Sequence, residues 1–190
     1  LSYYFIKSND EPDSGIPFNN PNNPPPGSIK ADGRPANVKQ GSYYGWKDRD
    51  FDKRENHIGS LKLEHDFNDD LIVSNTATYS HSKASYMYTN PDDSKSNIYK
   101  GKVYRRATQT IRDTDAFTDQ LSLAGKFKTG ALAHSFNVGA EYNREETNRG
   151  NYNISYPGYT GTTTAGFNDK CNDNNGWCTN LNNPNANDPW

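Results

Sequence analysis

Apolar and polar residues alternate along two neighbouring stretches of the chain, 117–127 and 132–142. In the first stretch, one alternate set of positions holds Phe117, Leu121, Leu123 and Phe127. In the second stretch, one alternate set holds Leu132, Phe136, Val138, Ala140 and Tyr142. Successive side chains of a strand point to opposite faces of a sheet, so this pattern predicts a hairpin with one apolar and one polar face.

Each apolar stretch is about 11 residues long, which is the length that a tilted strand needs to cross a bilayer. Aromatic residues lie near both ends of the apolar stripe, with Phe117 and Tyr142 at the open end and Phe127 towards the turn. This arrangement is typical of the two aromatic girdles of an outer-membrane barrel. A soluble sandwich also alternates, so the periodicity by itself leaves both structures open.

The connections between the predicted strands differ systematically in length. Five strands are predicted, at 1–8, 56–67, 71–89, 103–127 and 132–151. The turns at 68–70 and 128–131 lie at one end of the sheet, and the long segments 9–54, 90–96 and 152–190 lie at the other. Outer-membrane barrels sort their loops in this way, whereas a soluble sandwich has no reason to do so. The sequence therefore predicts an all-β, antiparallel up-and-down transmembrane β-barrel. The strand at 103–127 would measure roughly 80 Å, and we expect it to project well beyond the membrane.

The composition fits a structure that needs only a thin apolar band. Mean hydropathy is -1.10 and 31% of the 190 residues are hydrophobic, yet the chain contains 13 Tyr, eight Phe and three Trp. That aromatic content argues against disorder, and the few aliphatic residues argue against a large core. A net charge of -2 argues against a nucleic-acid partner. The chain begins with Leu1 and lacks a signal-peptide pattern, which indicates an internal fragment of a longer protein.

The two cysteines, Cys171 and Cys178, are separated by six residues in an Asn-rich segment. Zinc needs more ligands than this segment offers, so a disulfide that closes a small loop in an oxidising compartment is the better interpretation. The four histidines are scattered without metal-ligand spacing. No Ser/His/Asp set or carboxylate pair has a context that suggests catalysis. The sequence predicts neither a metal site nor an enzyme.

Several motifs resemble TonB-dependent outer-membrane receptors. In segment 123–142 the resemblance is carried by Phe127, Thr129-Gly130, His134-Ser135 and Gly139-Ala140-Glu141. Segment 12–17 (PDSGIP), and Tyr43-Tyr44-Gly45 followed by Asp48-Arg49-Asp50, resemble the siderophore receptors, and most closely their catecholate-type branch. The resemblance implies a 22-stranded barrel with an N-terminal plug domain, located in the bacterial outer membrane with its long loops extracellular.

Within such a barrel, residues 1–190 would supply about five strands and no plug. The implied activity is the uptake of ferric siderophores, with energy transmitted through TonB by regions outside this chain. The implied partners are the ferric siderophore, outer-membrane lipid and TonB. Iron would arrive already chelated, so neither a cofactor nor a protein ligand to iron is expected.

A ferric siderophore is large, aromatic and usually anionic, so its surface suits Arg, Tyr and Trp side chains. The candidate ligand-binding residues are Tyr43, Tyr44, Trp46, Arg49, Tyr99, Tyr104, Arg106, Arg112 and Trp177. Arg105 and Arg106 are adjacent, so only one of them can face the lumen. By parity with Phe117, Arg105 is expected to point outward and Arg106 inward.

Two other functions remain open on the sequence. One is a passive porin-like channel or a surface adhesin in the same membrane. The other is a secreted carbohydrate-binding β-sandwich, which the Tyr and Trp content would also serve. The sandwich predicts that these 190 residues fold alone in buffer. The barrel predicts the reverse, because its five strands would leave two open edges and an uncovered apolar face.

Overall fold

The computed structural model describes residues 1–18, 32–92, 98–99, 101–154 and 177–188. These residues contain seven strands of one sheet: β1 (Ser2–Asp10), β2 (Phe51–Asn68), β3 (Leu71–Asp92), β4 (Ile98–Tyr99), β5 (Lys102–Thr129), β6 (Leu132–Gly150) and β7 (Cys178–Asn180). The strand order is β1-β2-β3-β5-β4, and β6 and β7 also pair with β5. Within these ranges, the chain contains no helix with the length and hydrophobicity of a membrane span.

The five long strands predicted from the alternation are confirmed, although their ends differ by a few residues. β5 is continuous over 28 residues, as the uninterrupted pattern from 103 onward predicts. β2 begins at Phe51 rather than near residue 56. The two short strands, β4 and β7, were not predicted, because each exists only through its pairing with the first residues of β5.

Both short turns are confirmed, and their chemistry explains why they are tight. After β2, the backbone N–H of Asp70 donates a hydrogen bond to Asn68 Oδ1 at 2.9 Å, as is common where Asn precedes a turn. Between β5 and β6, Gly130 has φ 59°, a left-handed conformation that favours glycine. The turn fixes the hairpin register, which places Leu123 opposite Val138.

The chain divides into two compact units. The first, called here the strand unit, comprises Leu1–Ser8, Lys53–Ala84 and Ile111–Gly150. The second, the loop unit, comprises Asn9–Asp52, Ser85–Thr110 and Asn151–Trp190. All the hydrophobic residues that are buried in the described part of the chain belong to the loop unit: Ala36, Tyr44, Trp46, Val103, Tyr104 and Trp177.

In the strand unit the two faces of the β5–β6 hairpin differ as the sequence predicts. The apolar face exposes large side chains, with fractional exposures of 39% for Phe117 and 64% for Val138. On the same face, the Phe136 ring occupies the space in which a Cβ of Gly125 would lie. The other face carries cross-strand hydrogen bonds between polar side chains: Thr114 with Thr147, Gln120 with Glu141, and Ser122 with Asn137. A face of exposed apolar groups backed by a polar face is the arrangement of a membrane-barrel wall.

Candidate functional site

The centre of the loop unit is the indole ring of Trp46, which is 1% exposed. Two guanidinium groups lie over this ring, with the Cζ of Arg49 4.0 Å and the Cζ of Arg105 3.8 Å from the ring centroid. Both arginines are themselves buried. Cation–π contacts of this kind are worth most when they are shielded from water.

Each buried guanidinium is neutralised by a carboxylate. Arg49 Nε donates to Asp50 Oδ1 at 2.9 Å, and Arg49 Nη2 donates to Thr89 Oγ1 at 2.6 Å. Arg105 forms an ion pair with Asp188 and donates from Nη1 to the Asn185 carbonyl at 3.0 Å. Buried charges are tolerated only when they are paired and hydrogen-bonded in this way. The network therefore fastens the loop segments to the first residues of β5.

Tyr44 and Trp177 complete the packing. The Tyr44 hydroxyl donates to the Leu181 carbonyl at 2.5 Å, and Tyr44 is 1% exposed. The Trp177 carbonyl accepts a hydrogen bond from the Arg105 backbone N–H at 2.7 Å. Tyr104 and Trp177 are 7% and 4% exposed.

Five of the predicted ligand-binding residues thus form a buried core: Tyr44, Trp46, Arg49, Tyr104 and Trp177. In the structure these side chains are buried and hold the loops together, and their contact with a ligand stays a prediction. The reason is chemical. Flat aromatic rings and a forked guanidinium suit the packing of irregular loops as well as they suit a siderophore, and the sequence does not distinguish the two uses.

Tyr43 is only partly buried, and its hydroxyl donates to the Pro12 carbonyl at 3.4 Å. Burial raises the pKa of Tyr43 to about 12, and the nearby carboxylate of Asp50 contributes to the same shift. The ring lies so close to Gly45 that a Cβ there would come within 2.3 Å of the Tyr43 hydroxyl oxygen. A side chain at position 45 would therefore force the Tyr43 ring and the Asp50 carboxylate to move.

The remaining predicted residues of the loop unit are placed separately. Arg106 is exposed on β5, whereas Arg105, which the parity argument expects to point outward, is fully buried by the loop residues that contact it. Tyr99 ends β4, where its backbone pairs with Lys102. Cys178 begins β7 and is disulfide-bonded, and Cys171 lies outside the described residues.

In the strand unit, Arg112 lies on the polar face at a cavity of about 340 Å³ that Arg54 and Arg149 also line. Arg112 and Arg149 are direct cross-strand partners in the β5–β6 register. Thr114, Thr147 and Glu145 line the same cavity, and the two threonine hydroxyls are 3.0 Å apart. These three arginines are called the arginine surface below. Arg54 and Arg149 were missed from the sequence, although Arg149 continues the polar parity of β6.

The electrostatics of the arginine surface favour an anion. Within the part of the chain that the structure describes, neither Arg112 nor Arg149 forms an ion pair with a carboxylate. Like charges directly opposite each other destabilise a strand pair by a few tenths of a kcal/mol to about 1 kcal/mol. A negatively charged ligand between the two guanidinium groups would remove that repulsion.

Comparison with known proteins identifies the architecture. The chain is 53% identical over 186 residues to the probable TonB-dependent siderophore receptor PiuA of Acinetobacter baumannii, and the match covers 97% of this chain and 24% of that protein. The crystal structure of the siderophore receptor PiuA from the same organism matches 96% of this chain and 25% of that one, with 49% identity and a TM-score of 0.77. The chain belongs to the TonB-dependent receptor family. No protein-family model matches it.

More distant relatives agree with this assignment. The catecholate siderophore receptor Fiu of Escherichia coli K12 is 28% identical over 167 residues, which cover 83% of this chain and 22% of that protein. Its crystal structure, at 23% identity, matches 97% of this chain and 26% of that one with a TM-score of 0.67, and shows the same fold. The chain spans about a quarter of the length of the relatives it matches.

The predicted outer-membrane barrel and its location are therefore confirmed, and the findings favour them over a secreted sandwich. The relatives are receptors rather than enzymes. The count of 22 strands and the position of a plug domain outside this chain stay predictions.

Proposed function

We propose that the receptor containing this segment takes up ferric siderophores across the outer membrane by a TonB-dependent mechanism, and that the arginine surface binds the anionic complex. We further propose that TonB acts on parts of the receptor other than this segment. The observation that carries the proposal is the cross-strand pair of Arg112 and Arg149, which face one cavity without carboxylate partners among the described residues.

The chemistry of the arginine surface suits a chelate of ferric iron with catecholates or similar oxygen donors. Such a complex is negatively charged and presents flat aromatic rings. A guanidinium group donates in a planar fork to oxygen atoms and stacks on rings, so it meets both features. The hydroxyls of Thr114 and Thr147 add neutral donors beside the charges. Iron is cargo in this scheme, and no side chain of the receptor replaces a siderophore oxygen.

The test uses the full-length receptor purified in detergent, with a ferric tris-catecholate complex as the probe. Each of Arg112→Gln and Arg149→Gln is expected to raise Kd by about 10-fold to 150-fold, because a hydrogen bond to a charged group is worth about 1.5–3 kcal/mol. The matched control is Arg144→Gln. Arg144 is also on β6 but on the opposite face, where it pairs with Glu146 at 3.3 Å and is exposed.

Three outcomes separate the parts of the proposal. Weaker binding in both cavity variants, with Arg144→Gln unchanged, supports the assigned surface. Equal affinity in all variants would show that the complex binds elsewhere in the receptor. No binding of any ferric siderophore by the wild-type receptor would refute the function itself.

A further inference from the structure

The outward face of the strand unit carries a group of ligating side chains that siderophore uptake does not use. His81 of β3 lies beside Asp113 and Asp115 of β5. His81 Nδ1 is 2.9 Å from Asp115 Oδ1 and 3.6 Å from Asp113 Oδ1. One nitrogen and two carboxylate oxygens thus lie within 4.8 Å of one another.

These three residues are on the lipid side of the wall, opposite the arginine surface. Asp113 and Asp115 share the parity of Phe117 on β5, and His81 contacts them from the neighbouring strand. Asp115 and Asp113 precede Phe117 by two and four positions, on the side away from the turn, which is roughly 7 Å and 13 Å along the strand. They therefore lie beyond the aromatic girdle, where water and headgroups are present. Their side chains are partly exposed, with 25% for His81, 41% for Asp113 and 47% for Asp115.

The spacing matches that of ligands around a small divalent ion. Four ligands at about 2.0 Å from a tetrahedral metal lie about 3.3 Å from one another. The two distances from His81 Nδ1, 2.9 Å and 3.6 Å, lie on either side of that value. Asp113 and Asp115 are alternate residues of one strand and so share a face, while His81 approaches from the next strand. All three ligand atoms lie within 4.8 Å of one another, so binding one ion would draw the two carboxylates and the imidazole closer together.

The neighbours of the cluster leave its outer side open. The Tyr79 hydroxyl donates to Asp115, and Lys83 Nζ is 4.0 Å from Asp113 Oδ2. The His57 ring centroid is 6.3 Å from that of His81. Lys83 lies beside Oδ2 of Asp113, so Oδ1 of Asp113 is open to an ion. Oδ1 of Asp115 already accepts from Tyr79, so Asp115 would bind an ion through a second lone pair of that oxygen or through Oδ2, and His81 through an unprotonated Nδ1.

We propose that His81, Asp113 and Asp115 form a divalent transition-metal site that links β3 to β5 on the outer wall of the barrel. One imidazole and two carboxylates favour an ion such as Zn²⁺, since imidazole selects for first-row transition metals and the two carboxylates neutralise its charge. Water or an anionic headgroup oxygen would complete the coordination. The ion would stabilise the strand pair, because it binds the folded barrel and the unfolded chain lacks the site.

The sequence predicts no metal site because it has no ligand spacing to reveal one. His81 is 32 positions from Asp113 along the chain, and only the β3–β5 pairing brings them together. Asp113 and Asp115 alone are an ordinary alternate pair on a strand. The pairing of β3 with β5 therefore brings the third ligand, His81, next to the two aspartates.

The experiment uses the full-length receptor in detergent, stripped with EDTA and dialysed. Co²⁺ and Zn²⁺ are the probes. Bound Co²⁺ is expected to give visible absorption bands, and titration of these bands measures how many equivalents bind. The wild type is expected to bind one more equivalent of Co²⁺ than His81→Gln or Asp113→Asn. Zn²⁺ is expected to raise Tm in the wild type and not in the two variants. The control is His65→Gln, which removes an outward histidine that contacts Phe67 and no carboxylate in the described structure.

The proposal is overturned if wild type and His81→Gln bind the same number of Co²⁺ equivalents. It is also overturned if the difference appears only above millimolar metal, which would indicate adventitious binding. Ferric siderophore affinity serves as the folding check, because it is expected to be equal in wild type and variants. Asp113→Asn, an isosteric change, keeps the test valid if His81→Gln assembles poorly.

Discussion

Replacing Trp46 with alanine is the sharpest test of how the loop unit is held together. Trp46 is 1% exposed and lies beneath the guanidinium groups of Arg49 and Arg105. The substitution removes the ring from a packed site and leaves two buried cations without the π-surface that they contact. If the structural role is correct, the loops open locally while the hairpin of the strand unit stays intact.

The magnitude follows from the burial. Truncation of a buried Trp to Ala costs about 3–5 kcal/mol in total. This total includes about 0.5–2 kcal/mol for each cation–π contact that is lost. A loss of about 3–4 kcal/mol in the local free energy of opening raises the open population about 100-fold to 700-fold. Trp46→Phe keeps an aromatic face for the two guanidinium groups, so we expect a smaller increase, of about 10-fold.

The assay is limited proteolysis of the intact receptor in detergent, with cleavage mapped by mass spectrometry. At low protease concentration the cleavage rate follows the population of the open form. Cleavage within 42–50 and 177–188 is expected to accelerate in the order wild type, Trp46→Phe, Trp46→Ala. Unchanged protease resistance in Trp46→Ala, together with a loss of ferric siderophore affinity, would refute the reasoning. It would assign Trp46 to the ligand instead of to the core.

Two further predictions concern the same loop. Gly45→Ala is expected to destabilise the loop by about 1–3 kcal/mol, because a Cβ would come within 2.3 Å of Tyr43 Oη and 2.7 Å of Asp50 Oδ2. The rate of limited proteolysis within the loop measures this loss. Gly59→Ala is the control, because its Cβ would meet nothing within 4 Å. Tyr43 has a pKa raised by burial to about 12 from 10.0, so its contribution to stability is complete below pH 10 and is lost as pH rises through about 12. The tyrosinate absorbance of wild type minus Tyr43→Phe should titrate near 12, and a midpoint near 10 would contradict the burial.

The long strands were predictable because two independent signals agree on them. Residues such as Leu121, Leu123 and Val138 repeat with the period of a strand, and Asn68 and Gly130 mark the turns between strands. The short strands β4 and β7 carry no such signal. They are defined by hydrogen bonds to β5, and strands of two and three residues are too short to show a period in the sequence.

The candidate site was only partly predictable, for a different reason. Arg112 and Trp46 belong to residue types that suit a siderophore surface, yet one lines a cavity and the other is buried. The residue type limits which groups a side chain can contact. Which of these contacts it makes depends on the packing of the folded chain, and the sequence does not show that packing. Arg149 shows the converse, because its position became informative only when the register placed it opposite Arg112.

The orientation of the barrel wall is tested most directly by one arginine placed on each face in turn. Leu123 and Ala124 are neighbours on β5, with Leu123 on the apolar face and Ala124 opposite Asn137 on the polar face. Leu123 lies four positions from Phe127 and six from Phe117, near the middle of the apolar band. An arginine on the lipid face near the midplane costs about 2–4 kcal/mol, and one in the lumen costs little.

The measurement is the urea dependence of folding of the full-length receptor into lipid vesicles, with folded protein detected by its resistance to SDS at room temperature. Leu123→Arg is expected to reduce the equilibrium constant for folding by a factor of about 30 to about 700. Ala124→Arg is expected to fold like the wild type. Equal folding of the two variants, or a larger loss for Ala124→Arg, would contradict the assignment of the apolar face to lipid.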